Sequence, residues 1–433
     1  MNRRPTLFVG MMWFARVILA LGFLPVMLAW VVLIRLRPRR TPPRLFWGPV
    51  PLISVKYWSR ALRPDFDSDT FVWDYYSQIN RREDFDHYPG DLFGKWTKPL
   101  WPQLGFLWAL GKYDIFHVPC SGGLLGVTPF WRLEAPLLRM AGRKVVVLPY
   151  GADAYCYSRI RSLSWQHGLL VNYPENARIE PQIERRIRYW EKWADALIPT
   201  LMGPDGFARW DVLTPSYVSI DLEEWKHKTS DNGHDGVKGL VKICHTPNHR
   251  GIKGTEFLVS AVKRLKERGL QVELVLLENV QNQEVRRFLH EEADILAEQF
   301  LSQGYALSAI EGMATGLPVL GSLGSRNVTA HFRRFSFLDE CPVISSSPED
   351  LESDLEILVT HPELRHKLGQ AGRLYVEKYH SPEAARHMFG SVYERIWDGK
   401  LVDLINLFHP LKSNYRKSQP VVEHPLVNNR IED

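Results

Sequence analysis

Short apolar runs alternate with amphipathic stretches along most of the chain, a pattern typical of parallel sheets covered by helices. The first set of runs predicts strands at 44–54, 70–75, 114–118, 145–148 and 196–199, with helices at 94–110, 131–140 and 182–193. The second set predicts strands at 240–245, 272–277, 293–297, 317–320 and 342–345, with helices at 255–268, 282–292, 306–315, 348–358, 362–379 and 382–397. We therefore predict an α/β protein with two Rossmann-like domains.

The domain limits follow from composition. The polar, glycine-bearing stretch 226–238 is the predicted linker between a first domain at 41–225 and a second at 239–408. The polar residues 409–433 are predicted to be a poorly ordered tail. A length of 433 residues, 45% hydrophobic and 24% charged, is that of a folded protein with at least two domains.

The N-terminal segment 1–40 has a different pattern. Residues 17–34 (VILALGFLPVMLAWVVLI) carry no charge over eighteen positions, the lower limit for a helix that spans a bilayer. Five arginines follow within ten residues, so we expect a single N-terminal membrane anchor with the main body in the cytoplasm. An interfacial or re-entrant helix and a cleaved signal peptide remain alternatives. The basic amphipathic stretch 182–193 is either a solvated surface helix or a second contact with an anionic membrane.

The excess of positive charge, +5 for the whole chain, comes from one region. Residues 1–44 contain eight arginines and no acidic residue, so a charge of +8 there leaves −3 for the remainder. A nucleic-acid partner is therefore not expected. The four cysteines lie far apart without paired spacing, which fits a reducing compartment better than a disulfide framework.

The stretch 293–322 combines a strand, a polar turn, a short helix ended by Gly316 and a second strand. Such a βαβ unit places its loop at the carboxyl end of the first strand, where open α/β sheets bind ligands. The helix N-terminus aims backbone N–H groups at this loop and favours an anion or a diphosphate. Glu311, one turn into the helix, is placed to accept hydrogen bonds from sugar hydroxyls. An ordinary Rossmann-like unit without a ligand is the alternative.

This stretch resembles the donor-binding segment of retaining glycosyltransferases of family 4, which have the GT-B fold of two Rossmann-like domains facing a central cleft. The family pattern has two glutamates with seven residues between them, and a Gly-aromatic-Gly turn after the first. Here Gln303 stands at the first glutamate and Glu311 at the second. The resemblance implies that Gln303 faces the donor sugar and that Glu311 binds the ribose. The other donor-binding residues that it implies are Gly304, Tyr305, Ala306, Leu307 and Ser308.

A second turn, 245–254 (HTPNHRGIKG), follows one strand and precedes a helix. Its basic residues supply charge where a leaving nucleoside diphosphate becomes more negative. In the family a basic turn ending in Lys-Gly fills this position, so the resemblance implies that Lys253 binds the donor phosphates. The family's usual arginine is Asn248 here, and Arg250 or His249 is the expected substitute. A Lys-Gly pair before a helix also occurs in purely structural turns.

The first domain carries a third candidate loop, in 145–155 (VVVLPYGADAY). It resembles the family's strand followed by His-Gly-x-Asp, a loop that faces the donor sugar across the cleft. Asp153 matches the aspartate and Tyr150 stands where histidine is usual, so the resemblance implies catalytic roles for Asp153, Tyr150 and Gln303. A helix N-cap is the structural alternative for Asp153.

Three further positions have both a functional and a structural interpretation. Glu278, at the end of the predicted strand 272–277, lies where the family borders the nucleotide base or ribose, and is otherwise a surface-loop carboxylate. The glycine pair at 122–123 either lets the backbone approach a ligand or makes a turn. His117, at a strand end, is more often a core residue than a catalyst.

The resemblance implies a metal-independent, retaining glycosyltransferase. No His, Asp or Glu cluster has the spacing of a metal site, and no cofactor is expected besides the nucleotide-sugar co-substrate. The expected acceptor is a glycan or lipid-linked acceptor such as a cell-surface glycan precursor at the membrane. The family's front-face substitution, in which the leaving phosphate helps to deprotonate the acceptor, is the expected mechanism. A catalytically silent nucleotide-sugar-binding subunit and a nucleotide-sugar 2-epimerase are the alternatives.

Overall fold

The computed structural model describes residues 6–77, 79–228 and 233–431, with the backbone alone at 6–16, 19 and 20. The strands of the first sheet are β1 (Leu45–Trp47), β2 (Ser68–Thr70), β3 (Ile115–Val118), β4 (Lys144–Val147) and β5 (Ala196–Leu197). The strands of the second sheet are β6 (Val241–His245), β7 (Val272–Leu276), β8 (Ile295–Ala297), β9 (Val319–Gly321) and β10 (Ile344–Ser345).

Both sheets are parallel and repeat the same topology. Their strand orders are β2-β1-β3-β4-β5 and β10-β9-β8-β6-β7. Counted within each domain, both orders are 2-1-3-4-5, so the winding direction reverses between the first and the third strand. Loops that leave the carboxyl ends of these two strands diverge and open a crevice for ligands. The prediction of two parallel α/β sheets is confirmed.

Helices cover both sheets. Those of the N-terminal part are α1 (Thr6–Arg35), α2 (Ile53–Leu62), α3 (Pro89–Phe93), α4 (Trp101–Lys112), α5 (Glu134–Met140), α6 (Leu163–Asn172), α7 (Pro174–Arg178) and α8 (Glu180–Trp193). Those of the C-terminal part are α9 (Arg250–Lys253), α10 (Thr255–Glu267), α11 (Asn282–Glu291), α12 (Leu307–Thr315), α13 (Arg326–Phe335), α14 (Leu351–Thr360), α15 (Pro362–Tyr379), α16 (Pro382–Ile396) and α17 (Asn414–Ser418).

The first predicted strand is too long. It ends at Trp47 because Gly48, with φ +156°, turns the chain, and a Cβ at Gly48 would lie 2.0 Å from the Phe71 carbonyl oxygen. Apolar residues after the turn belong to α2, where Val55, Trp58 and Leu62 are buried on one face. Their spacing is that of one face of a helix, which has 3.6 residues per turn, and not that of a strand, in which side chains alternate every two residues.

Helix α16 joins the two halves of the molecule, because it packs against α2 of the first domain. The Tyr393 hydroxyl lies 2.8 Å from His117 Nε2, and Trp397 donates to the Arg40 carbonyl at 3.0 Å. The His117 ring stacks on Trp47 at 3.6 Å, and burial lowers its pKa to about 3. His117 is therefore a neutral core residue, which agrees with its structural interpretation.

Helix α1 lies along the first domain. Met27, Val31 and Ile34 are buried in the core that α4 and α5 also cover, and Trp30 Nε1 donates to the Leu107 carbonyl at 2.9 Å. In the part of the chain that the structure describes, no helix is both long and apolar enough to cross a membrane. The structure thus does not support the anchor expected at 17–34.

Helix α8 has the predicted amphipathic pattern. Ile183, Ile187 and Trp190 are buried in the first domain, and the Trp190 indole donates to the Cys120 carbonyl at 2.9 Å. Arg185, Arg188 and Lys192 are exposed, as in a solvated surface helix. Arg186 differs, because it donates to the Ser121 and Gly126 carbonyls at 2.9 and 2.7 Å.

The C-terminal residues differ from the expected poorly ordered tail, because they pack on the second domain. Arg416 is buried and donates to both carboxylate oxygens of Asp339 at 2.9 Å, and it also pairs with Glu340. Asn429 Nδ2 donates to the Val343 carbonyl at 2.8 Å. The ion pairs of a buried arginine therefore hold this polar segment against the domain, although its low hydrophobicity alone does not predict that it packs there.

We predict that Arg416→Ala lowers the free energy of unfolding by about 2 kcal/mol, because the partly exposed Asp339 loses its partner and the buried Glu340 keeps Lys378 but loses its second cation. Urea denaturation measures the effect. Arg430→Ala is the control: this arginine is 4.0 Å from Asp350 and mostly exposed, so the loss should stay below about 0.5 kcal/mol. Equal losses in the two variants would contradict the packing described for the tail.

Candidate active site

A cavity of about 450 Å³ lies between the two domains. The first domain contributes the residues after β1, β4 and β5, and the second those after β6 and β8, all at carboxyl ends of strands. The lining residues from the second domain are Asn248, His249, Ile252, Lys253, Gln299, Ser302, Tyr305, Ala306 and Leu307. Those from the first domain that matter below are Tyr150, Tyr155, Trp165, Tyr173 and Tyr217. The structure thus brings the loops after 245 and 297 together in one cleft.

Lys253 is the charged residue at the floor of this cavity. It ends α9, and Gly254 with φ +73° lets the chain turn directly into α10. Lys253 is largely buried, and its Nζ donates to Glu298 Oε1 at 3.0 Å and to Gln299 Oε1 at 2.9 Å. These partners follow β8, so the ammonium lies where β6 and β8 diverge.

The N-terminus of α12 points at the same carboxylate. The Ala306 amide donates to Glu298 Oε1 at 3.3 Å, and the Ser308 hydroxyl donates to it at 3.1 Å. One oxygen therefore accepts from an ammonium, a backbone amide and a hydroxyl. We call these three donors, from Lys253, Ala306 and Ser308, the anion cradle. It has the chemistry of a phosphate site, although a carboxylate of the chain occupies it.

Glu298 was missed in the sequence analysis. Its side chain is fully buried, and its second oxygen, Oε2, has no hydrogen-bond partner among the described residues. The sequence signal was available, because a carboxylate directly follows the apolar strand of the stretch 293–322. The resemblance instead points to Gln303, five residues later, as the residue that faces the donor sugar.

The turn after β8 is fixed by contacts with the first domain. Gln303 is buried, and its amide donates to the Leu201 carbonyl at 3.2 Å. Gly304 has φ +82°, and a Cβ there would lie 3.0 Å from Met202. The Tyr305 hydroxyl lies 2.8 Å from the Tyr375 hydroxyl. In this structure Gln303 therefore ties the two domains together behind the cavity wall.

Glu311 is buried one turn inside α12. Its carboxylate accepts from Asn282 Nδ2 at 2.8 Å, at the start of α11. Burial raises the pKa of Glu311 to about 8, while the Asn282 hydrogen bond and the charge of Arg286 oppose this rise. The structure therefore places Glu311 beside the loop after β7, with its oxygen engaged by a protein amide.

Arg250 and Glu278 lie together at the exposed rim. Arg250 Nη1 donates to Glu278 Oε2 at 3.1 Å, and its Nε donates to Glu256 at 2.8 Å. The loops after β6 and β7 are thereby linked. Arg250 is engaged by these two carboxylates. Of the two basic residues, it is therefore Lys253 that serves as a donor of the anion cradle.

The loop after β4 is held by Asp153. One carboxylate oxygen accepts from the Cys120 and Ser121 amides at 2.7 and 3.2 Å, and the other accepts from Tyr150 and Gly151 at 3.1 Å. Burial raises the pKa of Asp153 to about 6, although these four hydrogen bonds oppose it. Asp153 thus links the loop after β3 to the loop after β4. The Tyr150 side chain, 40% exposed, faces the cavity.

The cavity walls are rich in aromatic rings that the sequence analysis did not single out. The Tyr155 and Trp165 rings meet edge-to-face at 5.3 Å, and Tyr173 of the first domain contacts His249 of the second at 5.1 Å. Burial and the charge of Lys253 both lower the pKa of His249, which favours its neutral form. Aromatic walls beside an anion cradle suit a ligand that has a phosphate and rings or sugars.

The described residues contain no group of three His, Cys, Asp or Glu that could hold a metal ion. Lys253 and the N-terminus of α12 are the sources of positive charge seen at the cradle in the described structure.

We predict a pH-dependent stability that depends on Glu311. Because its folded-state pKa of about 8 exceeds the ordinary 4.5, the folded chain binds this proton more tightly. The free energy of unfolding therefore falls as pH rises from about 4.5 to about 8. Glu311→Gln should be more stable than the wild type at pH 8.5, by about 3 kcal/mol, and nearly equal at pH 5.

Urea denaturation at both pH values tests this prediction. Glu363→Gln, at an exposed position of α15, is the control and should leave the difference between the two pH values unchanged. A Glu311→Gln variant that follows the wild type at both pH values would show that Glu311 is not a buried, destabilised carboxylate.

No protein-family model matches the chain, and no curated protein is significantly similar to it in sequence. Among solved structures it is similar to the sucrose-phosphate synthase of Thermosynechococcus elongatus, with a TM-score of 0.52 and 15% identity over 83% of this chain and 100% of that chain. Weaker matches include S. aureus MnaA in a structure with UDP (TM-score 0.45, 12% identity, 83% of this chain and 99% of that chain) and the glycotransferase of kitacinnamycin (TM-score 0.41, 12% identity, 83% and 100%). The chain therefore has the GT-B fold that its donor-site motifs predicted.

Proposed function

We propose that the protein is a glycosyltransferase that moves a sugar from a nucleotide-sugar, bound in the interdomain cavity, to an acceptor that enters from the first domain. The observation that carries this proposal is the anion cradle. Lys253 Nζ, the Ala306 amide and the Ser308 hydroxyl converge on a single oxygen at the reversal point of the second sheet. A donor diphosphate needs this set of donors, because bond cleavage leaves it with additional negative charge.

The retaining mechanism is the finer part of the proposal. Among the described residues that line the cavity there is no aspartate or glutamate, and Asp153 is held by four backbone amides. A wall without a carboxylate nucleophile supports front-face substitution, in which the leaving phosphate accepts the acceptor's proton. Burial raises the pKa of Tyr150 to about 12, so its hydroxyl stays protonated and can orient a sugar oxygen.

The roles of Glu311 and Gln303 are proposed with their present contacts in mind. For Glu311 to bind the ribose, Asn282 has to release its carboxylate or share it, because the 2.8 Å hydrogen bond now occupies one oxygen. Gln303 acts on the donor sugar through the turn that it ties to Leu201. Glu278 and Arg250 close the rim beside the base, since their ion pair joins the two loops there.

Two alternative functions remain, and each predicts a different fate for the nucleotide-sugar. The silent binding subunit is favoured by the burial of Gln303 and by the carboxylate in the cradle, and it would bind the donor without releasing nucleoside diphosphate. A 2-epimerase would change the donor sugar without any acceptor.

The acceptor and the membrane belong to the same proposal. The outer face of α1 presents apolar side chains to solvent, including Val32, Leu33 and Leu36 at 57, 54 and 78% exposure. Arg35 and Arg37 are exposed in the same stretch, and Arg37 Nη1 donates to the Gly111 carbonyl at 3.3 Å. We propose that this face of α1 rests on an anionic, cytoplasmic membrane surface, where arginines contact lipid headgroups and a lipid-linked or other glycan acceptor is supplied.

Lys253→Ala is predicted to weaken binding of the donor. A panel of nucleotide-sugars is first screened for thermal stabilisation of the wild-type protein, because a ligand of the folded state raises the apparent stability. For the donor so found, Lys253→Ala should weaken binding about 10- to 100-fold, the effect of losing a charge-assisted hydrogen bond. Lys263→Ala, on the exposed side of α10, is the matched control and should bind as the wild type does. Wild-type affinity in Lys253→Ala would remove the site assignment.

The membrane proposal has its own test. Replacing Val32 and Leu33 together with aspartate should reduce co-sedimentation with anionic vesicles at least tenfold, because it places charge on the inserted face. Arg185→Glu, on the exposed side of α8, should leave the binding unchanged. Loss of binding in Arg185→Glu alone would instead assign the contact to α8.

A further inference from the structure

We propose that Glu298 is an internal competitor for the donor phosphate. In the ligand-free chain its carboxylate holds the anion cradle, and a phosphate group must displace it from Lys253 to bind there. The inference rests on the proposed function, because it takes the cradle as the site of a diphosphate. It adds a residue that tunes how tightly donor and product are held.

The geometry creates the competition. Lys253 lines the cavity, whereas the Glu298 side chain has no solvent exposure and lies behind the ammonium. Glu298 Oε1 takes all three donors of the cradle at 3.0 to 3.3 Å. A phosphate that reaches these donors from the cavity would stand next to a buried like charge, which is unfavourable in a medium of low polarity.

The carboxylate is incompletely satisfied, so its displacement is feasible. Oε2 has no hydrogen-bond partner among the described residues, although the group is buried. Lys253 has a second acceptor, Gln299 Oε1 at 2.9 Å, which can keep the ammonium in place after Glu298 withdraws. A fully bonded carboxylate would resist displacement more strongly.

The surroundings do not neutralise Glu298 beyond Lys253. His245, on the adjacent strand β6, lies 2.7 Å from the Ala297 carbonyl and 2.8 Å from the Thr255 hydroxyl, and burial lowers its pKa to about 4. Glu311, on α12, is a second acidic group close enough for Glu298 to raise its pKa. A diphosphate thus meets one ammonium already paired with a carboxylate, in a region that has further acidic groups.

This arrangement has a consequence for turnover. A cradle with an internal competitor binds the nucleoside diphosphate product less tightly than a cradle whose lysine is free. Because product release limits turnover in many enzymes, a weaker hold on the diphosphate favours turnover.

Pyrophosphate is the probe of choice, because it tests the cradle without a choice of base or sugar. Its affinity is measured by calorimetry at pH 7.5 for the wild type, Glu298→Gln, Lys253→Ala and the Glu298→Gln/Lys253→Ala double variant. Glu267→Gln is the matched control, since it neutralises an exposed carboxylate at the C-terminal end of α10, the end away from the cradle. Thermal unfolding of each variant confirms that it is folded.

We expect Glu298→Gln to bind pyrophosphate at least tenfold more tightly than the wild type, Glu267→Gln to match the wild type, and both variants with Lys253→Ala to bind poorly. Glu298→Gln could instead bind pyrophosphate as the wild type does or more weakly, while Lys253→Ala weakens binding both alone and in the double variant. That result would overturn the proposal that Glu298 competes with phosphate and would leave the donor site in place. Absence of binding to the wild type and to Glu298→Gln would overturn the proposed function as well.

Glu298→Gln leaves Lys253 buried without a counter-charge and is at risk of not folding. The wild type then provides the second measurement. In crystals of the wild-type protein grown with pyrophosphate, phosphate oxygens should replace Glu298 Oε1 at Lys253 Nζ, so that the present 3.0 Å contact is lost. Crystals that keep this contact, with or without pyrophosphate in the cavity, would overturn the competition.

Discussion

The buried ion pair between Lys253 and Glu298 lies where strands β6 and β8 and the N-terminus of α12 meet in the second domain. Strands β6 and β8 place the two residues at neighbouring carboxyl ends, and α12 begins directly in front of them. The ammonium is held by two side-chain acceptors, so it is fixed in position before any ligand arrives. A cation already positioned at a helix N-terminus suits the proposed sugar transfer, because positive charge is in place where the leaving diphosphate gains negative charge.

The position of the first domain depends on contacts far from this pair. Helix α16 packs on α2, the Gln303 amide reaches the Leu201 carbonyl at 3.2 Å, and Tyr173 meets His249 at 5.1 Å. Together these contacts set the width of the cleft in this structure. The same strand order in both sheets means that each domain presents ligand-binding loops, and the cavity forms where the two sets face each other.

Much of the fold was predictable because apolar strands and amphipathic helices leave clear periods in the sequence. The location of Lys253 and of the start of α12 at the sheet edge could be predicted, because a glycine-bearing turn between a strand and a helix marks such an edge. Glu298 was not, because sequence spacing does not tell which of two nearby polar residues, Glu298 or Gln303, turns toward the lysine. The four backbone donors to Asp153 depend on the approach of a distant loop, which local patterns do not encode.

The central claim is that this cleft transfers a sugar, and the fate of a labelled donor tests it most directly. The nucleotide-sugar that stabilises the protein is supplied with label in its sugar, together with a membrane lipid and glycan extract. We expect label to appear in an acceptor, with unchanged anomeric configuration and one nucleoside diphosphate released per transfer. Binding without any release, or a change in the donor sugar without an acceptor, would contradict the account.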